Sequence, residues 1–161
     1  MDIISPRNTA SRNPLILIAD DDQEDWMLLA EAFKKKQLAS NLRFVRDGEE
    51  LLDYLGHKGR FSDKTKNPSP DLIFLDLDMP KKDGHGALLE IKSHPDHRKI
   101  PLIVWTTSSR ENDIVESYRL GANCYITKPS TFELLSEVVA LVEQYWMQTV
   151  ALPQCVDCQI R

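Results

Sequence analysis

The chain has 161 residues, a length that fits one domain and can bury a hydrophobic core without disulfides or structural metals. Its 20 basic and 25 acidic residues give a net charge of -5, and no basic stripe interleaved with aromatic residues occurs, so the composition argues against nucleic-acid binding. Three cysteines do not make a disulfide framework. Because no apolar run reaches the roughly 20 residues that span a bilayer and no secretory signal is evident, we expect a cytoplasmic protein without a membrane partner.

The composition changes at both ends of the chain. Residues 1–13 are polar and lack hydrophobic periodicity, so they predict a flexible arm, while residues 14–148 predict one folded domain. Residues 149–161 predict a disordered tail. This tail carries a Cys-x-x-Cys pair, Cys155 and Cys158, but no second pair follows and no histidine lies nearby in sequence, so the pair alone indicates neither a zinc site nor a thioredoxin motif.

Short apolar runs alternate with helical patterns through the folded domain. The predicted strands cover residues 15–19, 42–45, 72–75, 100–105 and the stretch that ends at 128, and the predicted helices cover 23–36, 47–55, 84–94, 108–121 and 131–149. Side-chain caps are predicted at Asp22, at Asp47 with Glu50, and at Ser108 with Glu111. Strands alternating with helices predict an α/β fold, a doubly wound parallel sheet covered on both faces.

Polar side chains follow four of the predicted strands. Asp20 and Asp21 follow the first, Asp76 the third, Thr106 the fourth and Lys128 the fifth. The carboxyl ends of parallel strands share one edge of a sheet, so these side chains can converge there. Clustered carboxylates require a cation or raised pKa values, and an all-oxygen site suits Mg²⁺ or Mn²⁺. A hydroxyl and an ammonium beside that cation could bind the oxygens of a phosphoryl group at Asp76.

These motifs resemble the receiver domain of two-component response regulators. The matching pieces are "ADD" after the first strand, "LDLDMPKKDG" around the third, "WTTS" after the fourth and "YITKP" after the fifth. The resemblance implies a flavodoxin-like (βα)5 fold with strand order 2-1-3-4-5. It also implies that Asp76 accepts a phosphoryl group from a sensor histidine kinase and that Asp21, assisted by Asp20, binds Mg²⁺. Asp78 would contribute its main-chain carbonyl to the metal.

The same resemblance implies how the site communicates with partners. Thr106 and Lys128 would contact the phosphoryl group, and Thr106 with Tyr125 would form the switch. The Lys128–Pro129 bond would be cis, as is usual in the family. A second threonine, Thr107, stands where the family often has a small side chain, which can alter access to the phosphoryl group.

Several stretches are most similar to the stand-alone receivers that partner cyanobacterial and bacterial phytochromes. They are the loop 56–70, "IP" before the fourth strand, "NCYITKP" and "WMQTVALP". This likeness implies a downstream protein or histidine phosphotransfer partner. It also implies a homodimer through the fourth helix, fifth strand and last helix, because the apolar residues of the last helix cover about 180°, more than the ~100° that one sheet face requires. Coverage by neighbouring helices is the alternative.

Two enzyme or carrier alternatives use the same sequence features. "DLDMP" also resembles the DxD nucleophile motif of haloacid-dehalogenase-type phosphatases, but that family favours Thr or Val where Pro80 stands, and its later acidic pair follows the nucleophile. A flavodoxin-like cofactor carrier is disfavoured because three aspartates after the first strand would repel a flavin phosphate. We therefore expect a phosphoacceptor signalling protein that catalyses only its own phosphotransfer and dephosphorylation.

Overall fold

A five-stranded parallel sheet forms the centre of the computed structural model, which describes residues 13–38 and 40–153. The strands are β1 (Leu15–Ala19), β2 (Asn41–Val45), β3 (Leu72–Leu75), β4 (Leu102–Thr106) and β5 (Cys124–Thr127). They are ordered β2-β1-β3-β4-β5, with all neighbours parallel. The predicted doubly wound α/β fold and its strand order are therefore confirmed.

Helices cover both faces of the sheet. They are α1 (Gln23–Lys35), α2 (Gly48–Leu55), α3 (Gly84–Ser93), α4 (Glu111–Arg119) and α5 (Phe132–Val142), which continues as a π-helical segment, Glu143–Thr149. Helices α2 and α3 pack on one hydrophobic core and α1 and α5 on the other. The three central strands are buried on both faces, which explains why their sequences are unbroken apolar runs.

Helix α4 differs from the others because it buries only Ser117. Its apolar residues Val115 and Tyr118 remain 56% and 48% exposed. The helix contacts β5, which is an edge strand of the sheet, and α3. An apolar surface therefore remains beside the last strand.

Two of the three predicted helix caps are confirmed. Asp22 accepts from the Glu24 N–H at 2.9 Å and Asp47 accepts from the Glu50 N–H at 2.9 Å. The prediction of a cap at Ser108 is wrong, because its hydroxyl donates to the Asp113 carboxylate at 2.5 Å and α4 begins two residues later than that cap requires. A carboxylate is the stronger acceptor for that hydroxyl.

Two further expectations are corrected by the backbone. Strand β4 begins at Leu102 rather than at Ile100, because the Ile100 N–H is used in a turn that ends at the carbonyl of His97. The Lys128–Pro129 bond is trans, not cis, which is the form that X–Pro bonds adopt by a small margin of about 0.5–1 kcal/mol.

The ends of the chain lie largely outside the described residues. The predicted arm (1–13) is described only at residue 13, and the cysteine pair of the tail falls outside the described range. No helix within residues 13–38 and 40–153 is long and apolar enough to cross a membrane.

Candidate functional site

Three carboxylates meet where β1 and β3 end. The register pairs Ala19 with Leu75, so Asp20 and Asp76 leave adjacent strands at the same height. Each of Asp20, Asp21 and Asp76 has a carboxylate oxygen within 4.8 Å of the others. Asp20 and Asp76 are 2% and 6% exposed, whereas Asp21 faces solvent. The sequence-based expectation that these side chains converge is met.

Lys128 lies across this cluster. Its Nζ donates to Asp20 Oδ2 at 2.6 Å, to Asp76 Oδ2 at 3.0 Å, and to Asp25 Oδ2 at 2.7 Å. Burial alone would lower the pKa of Lys128, but the three surrounding carboxylates outweigh that effect and raise the pKa above its ordinary value. The lysine is therefore a fixed cation at neutral pH.

Asp25 is a member of the cluster that sequence reasoning missed. It lies in the first turn of α1, where an acid is also expected from the helix dipole alone. One feature of the sequence could have indicated its role. Asp25 lies three residues after the N-cap Asp22 and therefore on the same side of the first turn, close to the end of β1.

Asp20 is held in a fixed orientation and carries an unusual protonation equilibrium. Burial raises its pKa to about 6, against the lowering effects of Lys128 and of the Asp22 N–H, which donates to Asp20 Oδ1 at 2.9 Å. The indole N–H of Trp26 donates to the Asp20 carbonyl at 2.8 Å. At neutral pH the carboxylates of the cluster outnumber its one ammonium, so the site carries excess negative charge that suits a divalent cation.

The loop after β3 presents Asp76 to this edge. The Asp78 N–H donates to Asp76 Oδ1 at 3.2 Å, and the Asp78 side chain is exposed. Gly84 lies so close beneath the loop that a Cβ there would come within 2.3 Å of the Asp76 carbonyl oxygen. Asp83 accepts from the Gly86 N–H at 2.8 Å and starts α3. The glycine therefore lets the acceptor loop pack directly on the helix.

The ends of β4 and β5 are joined by the backbone. The Lys128 N–H donates to the Thr106 carbonyl at 2.7 Å, and Thr106 is fully buried. The Tyr125 hydroxyl donates to the carbonyl of Ser108 at 2.8 Å, and burial raises the pKa of that hydroxyl. Tyr125 thus contacts the loop that follows Thr106, a connection that the sequence did not specify.

The surface formed by α4, β5 and α5 exposes several large apolar side chains. The apolar side chains of α5 and its extension differ in burial: Leu135, Val139 and Val142 are buried, Val138 and Trp146 are partly buried, and Leu134, Leu141 and Tyr145 are 53%, 63% and 54% exposed. Helix α1 covers part of α5, so the neighbouring-helix alternative accounts for some of its wide apolar arc. The remainder lies on the surface.

The chain is similar to known proteins in both sequence and structure. A family model for the response regulator receiver domain matches residues 16–140. Response regulator Rcp1 of Synechocystis sp. is 40% identical over 139 residues, which are 86% of this chain and 92% of Rcp1. The probable methanogenesis regulatory protein FilR2 of Methanothrix harundinacea is 35% identical over 133 residues, 83% of each chain.

Solved structures agree with the sequence matches. The Mn²⁺-bound form of Rcp1 superposes with a TM-score of 0.79 at 39% identity, and the phosphorylated cyanobacterial phytochrome response regulator RcpA with 0.81 at 39% identity. Each comparison covers 88% of this chain and 99% of the other. The phosphatase alternative receives no support from these matches. The family model covers Asp20, Asp21, Asp25, Asp76 and Lys128, and this chain belongs to the response regulator receiver domain family.

Proposed function

We propose that this protein acts in the cytoplasm and that Asp76 accepts one phosphoryl group from the phosphohistidine of a sensor histidine kinase, in a transfer that depends on Mg²⁺. The observation that carries this assignment is the Lys128 ammonium 3.0 Å from Asp76 Oδ2, beside a group of three carboxylates whose oxygens lie within 4.8 Å of one another. Receiver domains as a family are phosphorylated by sensor histidine kinases. Among the carboxylates here, Asp76 follows the central strand β3.

The donor set fits a hard divalent cation. Asp20, Asp21 and Asp76 offer carboxylate oxygens that lie within 4.8 Å of one another. The main-chain carbonyl of Asp78, two residues after Asp76, would add a fourth oxygen. Oxygen ligands with room for waters suit Mg²⁺, and Mn²⁺ can replace it. When bound, the cation neutralises charge on the phosphoryl oxygens. The excess negative charge of the cluster supplies the attraction.

The side chains of the chain position the reaction. An oxygen of the Asp76 carboxylate forms the new P–O bond while the P–N bond of the phosphohistidine breaks, and the electron pair of that bond remains on the departing imidazole. Lys128 places its positive charge next to the acceptor, and Thr106 places a hydroxyl at the neighbouring strand end. Phosphoryl transfer depends mainly on positioning and electrostatic stabilisation of this kind.

Replacing the acceptor tests the assignment. Asp76→Asn should remain folded and take no phosphoryl group from a kinase or from a small acyl phosphate, as measured by intact-protein mass. Asp78→Asn is the matched control, because it changes the neighbouring exposed side chain and leaves the main-chain carbonyl in place. Labelling that persists in Asp76→Asn, or that EDTA does not reduce in the wild type, contradicts the proposal.

Thr106, Lys128 and Tyr125 transmit the phosphorylation in this proposal. A new dianionic group shifts a conformational equilibrium only through contacts that differ between two states. The Tyr125 hydroxyl bonds the loop after Thr106, so movement of Thr106 toward a phosphoryl group reaches β5. Thr106→Ala and Lys128→Ala should accept phosphate yet bind the downstream partner differently from phosphorylated wild type. Equal affinities would remove both residues from the switch.

The surface of α4, β5 and α5 is the proposed site of self-association. Leu141 on α5, Tyr145 on its π-helical extension and Val115 on α4 are exposed apolar side chains of the kind that interfaces cover. Phosphorylation would strengthen the dimer by about 1–3 kcal/mol of coupling. Sedimentation equilibrium of wild type and Tyr145→Glu, each with and without phosphorylation at Asp76, measures this coupling. A wild type that stays monomeric at high micromolar concentration in both states leaves only docking to a different protein.

A phytochrome-type histidine kinase is the proposed donor. Support comes from the similarity to Rcp1 and to RcpA, the second of which is a cyanobacterial phytochrome response regulator. Phosphotransfer from purified phytochrome kinases should be faster than from unrelated histidine kinases of equal autophosphorylation. Equal or slower transfer from the phytochrome kinases would reject this partner and leave Asp76 as acceptor unaffected.

A further inference from the structure

Asp25 contacts the lysine of the acidic site without belonging to the carboxylate group that suits a metal ion. Lys128 donates to three carboxylates, and two of them, Asp20 and Asp76, also form that group together with Asp21. The third is Asp25, whose Oδ2 accepts from the Lys128 Nζ at 2.7 Å but which is not a member of the group within the described part of the chain. Asp25 therefore serves the ammonium and leaves the cation to the other carboxylates.

The Lys128 ammonium already occupies oxygens that a cation would use. It donates to Asp20 Oδ2 and to Asp76 Oδ2 at 2.6 Å and 3.0 Å. The second oxygen of each carboxylate accepts a backbone N–H, from Asp22 and from Asp78 respectively. An ammonium and a divalent cation on the same oxygens repel each other. Binding of Mg²⁺ therefore requires Lys128 to leave at least one of these two carboxylates.

Lys128 needs another acceptor when it moves. An ammonium has three N–H donors, and all three are used on carboxylates here. The Lys128 side chain is only 10% exposed, and a buried charge without a partner is costly. Asp25 is the acceptor that remains when a cation takes the other two carboxylates. Its side chain is 34% exposed, so water can solvate the displaced ammonium at this end of the site.

Helix α1 holds Asp25 in position through contacts that do not use the metal-binding oxygens. The helix begins after the N-cap Asp22, and Asp25 lies in its first turn. The next residue, Trp26, donates its indole N–H to the main-chain carbonyl of Asp20 at 2.8 Å and stacks on Phe44 with ring centroids 5.1 Å apart. The first turn is thereby attached to the end of β1. Asp25 can keep its place while the loop that carries the phosphoacceptor changes its contacts.

We propose that Asp25 is a positioning residue for the metal site, which holds the Lys128 ammonium when Mg²⁺ takes Asp20 and Asp76 and so strengthens Mg²⁺ binding through Lys128. This role rests on the proposed function, in which the same site accepts the phosphoryl group. Two other roles make different predictions. An acid that serves only the dipole of α1 would not affect Mg²⁺ affinity, and an acid that attracts the cation directly would act without the lysine.

Mg²⁺ titration of the full chain tests this role as a double-mutant cycle. Asp25→Asn should weaken Mg²⁺ binding about three- to fivefold, the range of a partly exposed ion pair. Glu24→Gln removes one exposed charge from the same turn and should change the affinity by less than about twofold, because exposed charges are screened. In a Lys128→Met background, Asp25→Asn should have no larger effect than Glu24→Gln. Tryptophan fluorescence can report binding, since Trp26 bonds the carbonyl of Asp20.

A crystal structure of the unmutated chain with Mg²⁺ keeps the test valid if a variant misfolds. It should show Lys128 Nζ bonded to Asp25 and no longer to both Asp20 and Asp76. A Lys128 ammonium that has left Asp25 overturns the proposal, as does an effect of Asp25→Asn that persists undiminished in Lys128→Met, or one no larger than that of Glu24→Gln in the wild-type background. The cycle involves no phosphoryl transfer. A wild type that binds Mg²⁺ but takes no phosphoryl group therefore rejects the proposed function, while the cycle still decides the role of Asp25.

Discussion

Replacing Lys128 with methionine isolates the charge balance of the acidic site. The methionine keeps most of the side-chain volume and removes the ammonium that three carboxylates share. The side chains of Asp20 and Asp76 are only 2% and 8% exposed, while that of Asp25 is 34% exposed. Two buried carboxylates therefore lose their cation, and the third can be solvated.

The size of the effect follows from that burial. Removing one partner of a buried ion pair costs about 3–5 kcal/mol, because the remaining charge stays buried and unpaired. The pair with the partly exposed Asp25 contributes at most about 1 kcal/mol, the value of a surface pair. Since the site opens to solvent at Asp21, we expect the lower end, a loss of about 3 kcal/mol in the free energy of unfolding at pH 7.5 in EDTA.

Two conditions should restore part of this loss. Mg²⁺ at 100 times its dissociation constant adds about 2.7 kcal/mol to the stability of a chain that binds it. Without the competing Lys128 ammonium the variant should bind the ion more tightly than the wild type does, so the deficit should shrink on adding the ion. Lower pH should also reduce it. Burial already raises the pKa of Asp20 to about 6, and losing Lys128 raises it further, so the folded state holds a proton that the unfolded state releases. Stability then falls as pH rises through that range.

Urea unfolding followed by tryptophan fluorescence measures these differences. Lys36→Met is the matched control, because Lys36 pairs with the 67% exposed Glu137 and should change stability by no more than about 1 kcal/mol. A Lys128→Met protein as stable as Lys36→Met in EDTA would refute the argument that the cluster depends on this cation. A large loss that is equal at pH 5 and pH 8 would refute its electrostatic origin.

Three further predictions concern other parts of the molecule. Glu143→Gln should raise the free energy of unfolding by roughly 1 kcal/mol at pH 8 and by less at pH 4. Burial raises the pKa of Glu143 despite the opposing hydrogen bonds from Ser40, so the cost of burying its charge is present only above that pKa. Urea unfolding at both pH values measures the gain, and an equal gain at the two would contradict the prediction. Burial raises the pKa of Cys124 from 9.0 to about 11. In a chain whose two tail cysteines are replaced by serine, alkylation of Cys124 at pH 8 should therefore be about 100-fold slower than alkylation of a free thiol. Rapid alkylation of the folded protein would contradict this raised pKa. Gly84→Ala places a Cβ 2.3 Å from the Asp76 carbonyl oxygen and should cost about 1–3 kcal/mol and slow phosphorylation; a variant with wild-type stability and labelling rate would show that the loop tolerates displacement.

The central strands of the sheet could be predicted because a strand buried on both faces has an unbroken apolar sequence. Strands β1 and β3 are unbroken apolar runs, and their bounds agree with the structure. The start of β4 was predicted less well, since Ile100 continues the apolar pattern but uses its N–H in a turn. The hydrophobic pattern indicates which residues are buried, but it does not indicate which backbone N–H groups form the hydrogen bonds between strands.

Members of the site were predictable to different degrees for a related reason. Asp20, Asp76 and Lys128 end strands, and the common edge of a parallel sheet brings strand ends together whatever the loops do. Asp25 reaches the same cluster from a helix, and an acid in a first helical turn is explained equally well by the dipole. The contact of Tyr125 with Ser108 depends on loop conformation, which no sequence periodicity encodes.

The Lys128 ammonium has two opposing effects on the acidic site: it stabilises the carboxylates, and it occupies oxygens that a cation and a phosphoryl group would use. Without a divalent ion its ammonium is the only cation that directly contacts the buried carboxylates in the described part of the chain, and it keeps Asp76 next to Asp20 despite their repulsion. A cation and a phosphoryl group entering the site would compete with those same bonds, since Lys128 cannot satisfy three carboxylates and new oxygens at once. In the proposed function, a bond that the lysine gave up to a phosphoryl oxygen would free an oxygen of Asp20 for the metal. Because the Lys128 N–H is bonded to the Thr106 carbonyl, this exchange would act on β4 and β5 together. The loop at Ser108 follows β4, and the side chain of Tyr125, which bonds that loop, lies on β5.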